Sequence, residues 1–263
     1  MSSRDEKIKI EHSKEHLVVK DNRLIQNVAR RKYELSVLEQ KVLGFIISMI
    51  KPPKDITDKP IYKYEFDVRL FCKVCGIDFN NGKNYANVKS ALKRLADNSF
   101  WLDEGDSDLY FQLINTQRIY KRSGKVTITI SDEVMPYLYN LQERFTAYEL
   151  YQILALKSPY SIAMYELFKS NAFKKEIRIG IMDLKKYLSL EDKYSAYKDL
   201  KKRVIEPSIK EINTFTDLDI LWEPYRQGRG YTAVIFHISK QRRWEGLDAY
   251  RRTMAEINGG YPG

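Results

Sequence analysis

Two stretches far apart in this chain carry one pattern twice, and that repetition limits the fold more than any other feature. Tyr85–Leu95 reads YANVKSALKRL and Tyr194–Val204 reads YSAYKDLKKRV. Stepped as helices at about 100° per residue, Tyr85, Val88, Ala91, Leu92 and Leu95 share one side of the first. Tyr194, Tyr197, Leu200 and Val204 take the matching side of the second. The outer faces agree as well: Lys89 matches Lys198, Lys93 matches Lys202, and Arg94 matches Arg203. A core-facing stripe constrains apolar positions and gives no reason for three cations to recur opposite it. Lysine and arginine are common on any solvated helix, so the coincidence gains its weight from the segments around each helix.

Those segments follow the same order. Ahead of the first helix, Tyr62–Val68 (YKYEFDV) alternates like a strand, Arg69–Gly76 reads as a short helix, and Asn80–Asn84 (NNGKN) as a turn. Behind it come Ser99–Trp101, a turn at Asp103–Asp108, and two β-rich runs, Tyr110–Tyr120 and Lys125–Ile130, joined at Ser123-Gly124. Ahead of the second helix stand Glu176–Gly180 (EIRIG) and the short helical stretch Ile181–Leu190. Behind it stand Leu218–Pro224, the turn Tyr225–Gly230 (YRQGRG) and Tyr231–Ser239. Strand, helix, turn, helix and hairpin in succession make a helix-turn-helix with a β-wing, present twice. The expected fold is therefore α+β, with two tandem winged-helix domains related by pseudo-symmetry.

A long helix is expected in front of each copy. Ser36 caps the first, with Glu39 three residues on to complete a capping box. Ser158 caps the second, followed by Pro159 at the first helical position. Pro207 lacks the donor that a helix interior needs, which predicts a kink near Ile205–Pro207 before Asn213-Thr214 closes the helix. The domain division expected is a disordered polar tail over 1–16, an N-terminal domain over 17–142, a C-terminal domain over 143–240 and a basic extension over 241–263.

Length and charge bear on partners. At 263 residues the chain can hold two domains of ordinary size, each expected to have its own core. A net charge of +10 and a pI near 9.3 suit a polyanionic partner. A helix-turn-helix lays its second helix in the major groove of DNA, and the matched cations fall on that helix. Double-stranded DNA is the partner this predicts. The 19 tyrosines lie mostly in apolar stripes, where packing accounts for them.

Other chemistries lack their residues. Cys72 and Cys75 make a single CxxC without a second pair, and the histidines are His12, His16 and His237, so no zinc set assembles. The cysteines read as small core residues of the short helix. Tyr137, Tyr139, Tyr148 and Tyr151 invite comparison with DNA-nicking tyrosines, but no H-x-H pair accompanies them to hold the metal such chemistry uses. No GxxxxGK[ST] loop is present for nucleotide hydrolysis. The N-terminus has no apolar signal core, and the longest apolar run, near Phe45–Ile50, is far short of a bilayer span. The expectation is a cytoplasmic protein without cofactor, catalysis or membrane contact.

At specific motifs the chain resembles a known family, the plasmid replication initiators of the Rep type 3 class. LVVKDNRLIQNVARRKYELSVLEQKVLGFI carries that family's K-x-N-x-L-I followed by L-x-x-x-E-Q opening a helix. SPYSIAMYELFKS, then YKDLKKRVIEPSIKEINTFTDLDI, then a wing with GRG follow the pattern more closely, and KRVIEPSIKEIN is the most specific part. The likeness runs from about Leu17 to Ser239. It implies monomers that bind directly repeated origin iterons, and dimers that bind an inverted-repeat operator and repress their own gene. It implies that the C-terminal domain reads DNA through Lys198, Lys201, Lys202 and Arg203, with Arg226 and Arg229 on wing phosphates. The N-terminal domain would dimerise and add contacts from Asn87, Lys89, Ser90, Lys93 and Arg94. Host replication proteins, such as a helicase or initiator, are further implied partners. A winged-helix transcriptional regulator without an initiator role is the alternative that the fold leaves open.

Overall fold

The computed structural model describes residues 16–26, 28–31, 34–50, 57, 59–75, 77–121, 123–139, 145–228 and 230–241. Strand β1 (Leu17–Asp21) ends where Asp21 accepts a hydrogen bond from the Arg23 backbone at 2.8 Å, which turns the chain into the short helix α1 (Asn22–Gln26). After β2 (Val28–Arg31) comes the first long helix, α2 (Val37–Ser48). Its capping box is formed as expected: the Glu39 backbone donates to Ser36 Oγ at 3.3 Å, and the Ser36 backbone donates to Glu39 Oε2 at 2.9 Å. Lys51-Pro52-Pro53, whose prolines mark a stop for this helix in the sequence, lie outside the described residues.

The first winged helix then follows in the expected order. Strand β3 (Lys63–Asp67) leads into α3 (Val68–Cys75), a turn, and α4 (Gly82–Asp97). Cys72 and Cys75 are free, buried thiols in α3; burial pushes the Cys72 thiol up to about 11 and that of Cys75 further still, which suits core residues. The run expected as one strand over Tyr110–Tyr120 is split. Strands β4 (Phe100–Asp103) and β5 (Asp108–Phe111) form one hairpin, in a sheet ordered β2-β4-β5. Strands β6 (Ile114–Ile119) and β7 (Lys125–Ile130) form the next, in a sheet ordered β3-β7-β6. Phe111, Leu113 and Ile114 are all buried where the chain crosses between the sheets. A strict alternation cannot bury consecutive residues on one face, so the strand breaks there.

The second half repeats the plan. Strand β8 (Phe145–Glu149) and the short helix α5 (Tyr151–Leu154) precede α6 (Pro159–Asn171), capped by Ser158, whose Oγ accepts from the Tyr160 backbone at 3.2 Å. Then come β9 (Glu176–Gly180) and α7 (Ile181–Tyr187). Helix α8 runs as α-helix over Tyr197–Leu200, as π-helix over Lys201–Ile205 and as α-helix again over Glu206–Phe215. Strands β10 (Leu218–Gln227) and β11 (Gly230–Lys240) close the fold, in a sheet ordered β10-β11-β9.

The two halves meet through equivalent parts. Strands β1 and β8 stand at the same place in each repeat and pair antiparallel, Leu17 opposite Glu149, Val19 opposite Ala147 and Asp21 opposite Phe145. Behind them α2 and α6 pack together. Partly buried polar contacts cross the same boundary. Lys20 Nζ and the Tyr148 hydroxyl both donate to Glu166 Oε1. Lys41 Nζ donates to the Leu154 carbonyl at 2.6 Å, and burial lowers its pKa. Gln40 donates to the Pro159 carbonyl at 3.2 Å. In place of a separate core for each domain, one apolar core runs through both halves, from Val18 to Ile238, because α2 and α6 pack together at their junction.

Candidate nucleic-acid interface

Helix α4 is placed by its turn. The Lys83 backbone donates to Asn81 Oδ1 at 3.1 Å, the N-cap bond, and Asn84 Nδ2 donates to the Asp78 carbonyl at 3.1 Å. Val88, Ala91, Leu92 and Leu95 are buried, as the periodicity predicts. Asn87, Ser90 and Lys93 are exposed on the opposite side, and so is Lys83, which the comparison of repeats did not single out. Lys89 Nζ lies 5.1 Å from the Tyr85 ring centroid. Arg94 departs from its counterpart: its Nε sits 2.9 Å from Glu39 Oε1, so the guanidinium is held against the start of α2.

Helix α8 begins later than the periodicity suggests. Tyr194 lies outside it, with a left-handed φ of 51°, and Ala196 is extended at the N-cap. The match between the two helices holds from Val88 and Tyr197 onward and fails in the turn before. The expected distortion ahead of Pro207 is a π turn, in which the Glu206 backbone donates to the Lys201 carbonyl five residues back. Its cause is visible in the core. Leu200, Val204, Ser208 and Ile212 are buried at every fourth position. On a 3.6-residue helix such a ladder drifts by about 40° per step, and one wider turn takes up the drift. Lys198, Lys202 and Arg203 thereby stay exposed together. Lys201 turns aside: its Nζ lies 5.6 Å from the Trp222 ring centroid and 3.6 Å from Glu206 Oε1.

The wing formed by β10 and β11 stands beside this face. Gly228 takes φ 63° at its tip, a conformation that suits glycine. Arg226 faces Tyr231 across the hairpin, its guanidinium carbon 4.3 Å from the ring centroid and Nη2 donating to the hydroxyl at 2.5 Å. Tyr231 stacks in turn on Tyr197, with centroids 4.6 Å apart. Arg178 covers Tyr225 in the same way at 4.8 Å. Arg229 lies outside the described residues. The sequence reading missed Tyr197 and Tyr231 as parts of this face. Tyr231, directly behind YRQGRG, was the available signal, since a tight hairpin brings it across from Arg226; Tyr197 belongs to another element and has no such local signal.

The tyrosines at 137, 148 and 151 are elsewhere. Their hydroxyls donate to Glu104, Glu166 and Glu149, and burial is the main reason their pKa values are raised, that of Tyr137 to about 12. Tyr139 is half-buried and packs against the core.

Comparison with known proteins agrees with this architecture. Residues 180–238 match the family model described as Initiator Rep protein, WH2. A replication initiation protein of Escherichia coli is 23% identical over 252 residues, spanning 93% of this chain and 76% of its own length. The crystal structure of Pi initiator protein in complex with iteron DNA has the same fold, with a TM-score of 0.70 at 19% identity, over 88% of this chain and 99% of its own. Residues 17–169, more than half of the chain, match the model described as Initiator Replication protein, WH1, and the chain therefore belongs to the initiator replication protein family.

Proposed function

We propose that this initiator binds double-stranded DNA at directly repeated iterons of a plasmid origin, and that α8 with its wing is the principal reading head. The observation that carries the reading is the cluster of exposed Lys198, Lys202 and Arg203 beside a wing that presents Arg226. A recognition helix in the major groove reads base edges while a flanking cation holds phosphate. The complex of Pi initiator protein with iteron DNA supports the same reading. Lys201 supports the helix–wing junction as well as adding charge to the face. In the N-terminal domain, Asn87, Lys89, Ser90 and Lys93 supply secondary contacts, and Arg94 contributes what its pairing with Glu39 leaves free. That domain also carries the dimer surface through which the protein represses its own gene at an inverted-repeat operator. The division of labour follows the two domains, 17–142 and 143–240. The protein works in the cytoplasm and hands the opened origin to host replication proteins.

The protein needs no catalysis of its own for this role. Tyr137, Tyr148 and Tyr151 are buried in the core, where their hydroxyls do not face a DNA phosphate. Footprinting on the DNA flanking its own gene tests the reading. Protection at regular direct repeats is expected, together with replication in trans of a plasmid carrying only those repeats. Protection without replication would leave a regulator, and magnesium-dependent nicking of supercoiled origin DNA, lost in Tyr137→Phe, Tyr139→Phe, Tyr148→Phe or Tyr151→Phe, would overturn the non-catalytic part.

A further inference from the structure

We infer that Tyr231 is a positioning residue for DNA binding: it fixes the Arg226 guanidinium on the wing and, through Tyr197, locks the wing to the start of the recognition helix. The inference rests on the DNA-binding reading above. Its ground is a local irregularity in the hairpin. Register shifts between Tyr225 and Arg226, so Tyr225 faces Ala233 while Arg226 faces Tyr231, and Thr232 is the extra residue. A bulge of this kind re-aims side chains that regular pairing would space apart. Here it sets Arg226 flat over Tyr231, at 4.3 Å from the centroid, and lets Nη2 donate to the hydroxyl at 2.5 Å.

An arginine on an exposed hairpin otherwise samples many rotamers, and each must be given up on binding a phosphate. Tyr231 removes that freedom beforehand while leaving the other guanidinium donors for an anion. The second contact of the ring carries the order further. Tyr197, at the first position of α8, meets Tyr231 with centroids 4.6 Å apart and an interplanar angle of 34°. The Tyr197 hydroxyl is buried without a hydrogen-bond partner, so its ring is what it contributes at this junction. At the base of the wing, Lys201 on Trp222 ties the same two elements a second time. The helix and the wing cation therefore approach DNA as one rigid surface, although Tyr231 has no charge of its own.

That last point gives a readout that a merely structural tyrosine would not move. The full-length chain, with Tyr231→Ala, Tyr231→Leu, Tyr231→Phe, Arg226→Ala and the Tyr231→Ala/Arg226→Ala pair, is titrated on a cognate repeat at several salt concentrations. Thermal unfolding is followed alongside. Arg226→Ala is expected to weaken binding about tenfold, the scale of one charge-assisted hydrogen bond, and to reduce the salt slope by roughly one. Tyr231→Ala and Tyr231→Leu are expected to lose most of that slope although no charge is removed. The double variant should be no worse than Arg226→Ala. Tyr231→Phe keeps the ring and should stay between these and the wild type. In the free protein, amide exchange around Arg226 should speed up in Tyr231→Ala at an unchanged Tm. Weaker binding at an unchanged slope, additive losses in the double variant, or unaltered amide exchange would each overturn the inference. If Arg226→Ala leaves the slope intact while the wild type binds, the inference fails and the DNA-binding reading stands. If the wild type does not bind duplex DNA at all, both fall.

Discussion

Arg94 and Arg203 occupy matching places on their helices and face different surroundings. The helical wheel turns both outward, and both are exposed. The wheel has no access to Glu39, which belongs to another helix and holds Arg94 at 2.9 Å from a nearly buried carboxylate. Arg203→Ala should therefore cost about 1–3 kcal/mol on a cognate repeat and little on a scrambled duplex, because a planar fork reads guanine O6 and N7 together. Arg94→Ala should do the opposite. It removes a charged partner from Glu39 and should lower folding stability by about 1 kcal/mol, reduced from a fully buried pair because Arg94 is half-exposed. Urea denaturation and DNA titration of both variants separate the two effects. Comparable DNA losses with unchanged stability would mean that Arg94 reads DNA as its counterpart does.

Elements were legible in the sequence where their causes are local. Both long helices start where Ser36 and Ser158 place them, because an N-cap needs only a side-chain oxygen and the next two or three backbone donors. Ser158→Ala should cost about 1 kcal/mol, and Ser158→Asp should retain most of it, as measured by chemical denaturation. An equal loss in both would point to the packing of α6 in place of its cap. The elements misread are those whose cause is tertiary. The break between β5 and β6 comes from burying Phe111, Leu113 and Ile114 together, which no alternation rule anticipates. Pro207 marked the distortion locally but not its form: the π turn accommodates a four-residue ladder of buried positions, which the apolar stripe alone reads as regular helix. Tyr194 entered the wheel for a similar reason: its left-handed backbone, outside the helix, has no signature in the apolar pattern.

At the scale of the molecule, the order of elements was enough for tandem winged helices, and the family models supplied what a fold cannot, the distinction between an initiator and a regulator. The union of the halves rests on groups that single-helix reasoning does not bring together. Lys20→Met should destabilise the protein by about 2 kcal/mol, because Glu166, largely but not fully buried, is left with only the Tyr148 hydroxyl, and Lys20→Met/Glu166→Leu should recover much of the loss. Guanidinium unfolding of the three proteins checks this; a double variant no better than the single would mean that the pair acts by shape alone. The pairing of β1 with β8 has a further consequence in time. Leu17 waits for Glu149 before its strand has a partner. At synthesis rates of about 5–20 residues per second that interval is on the order of ten seconds. Throughout it an apolar edge stands open on the nascent chain, and the first domain leaves the ribosome with one strand still unmatched.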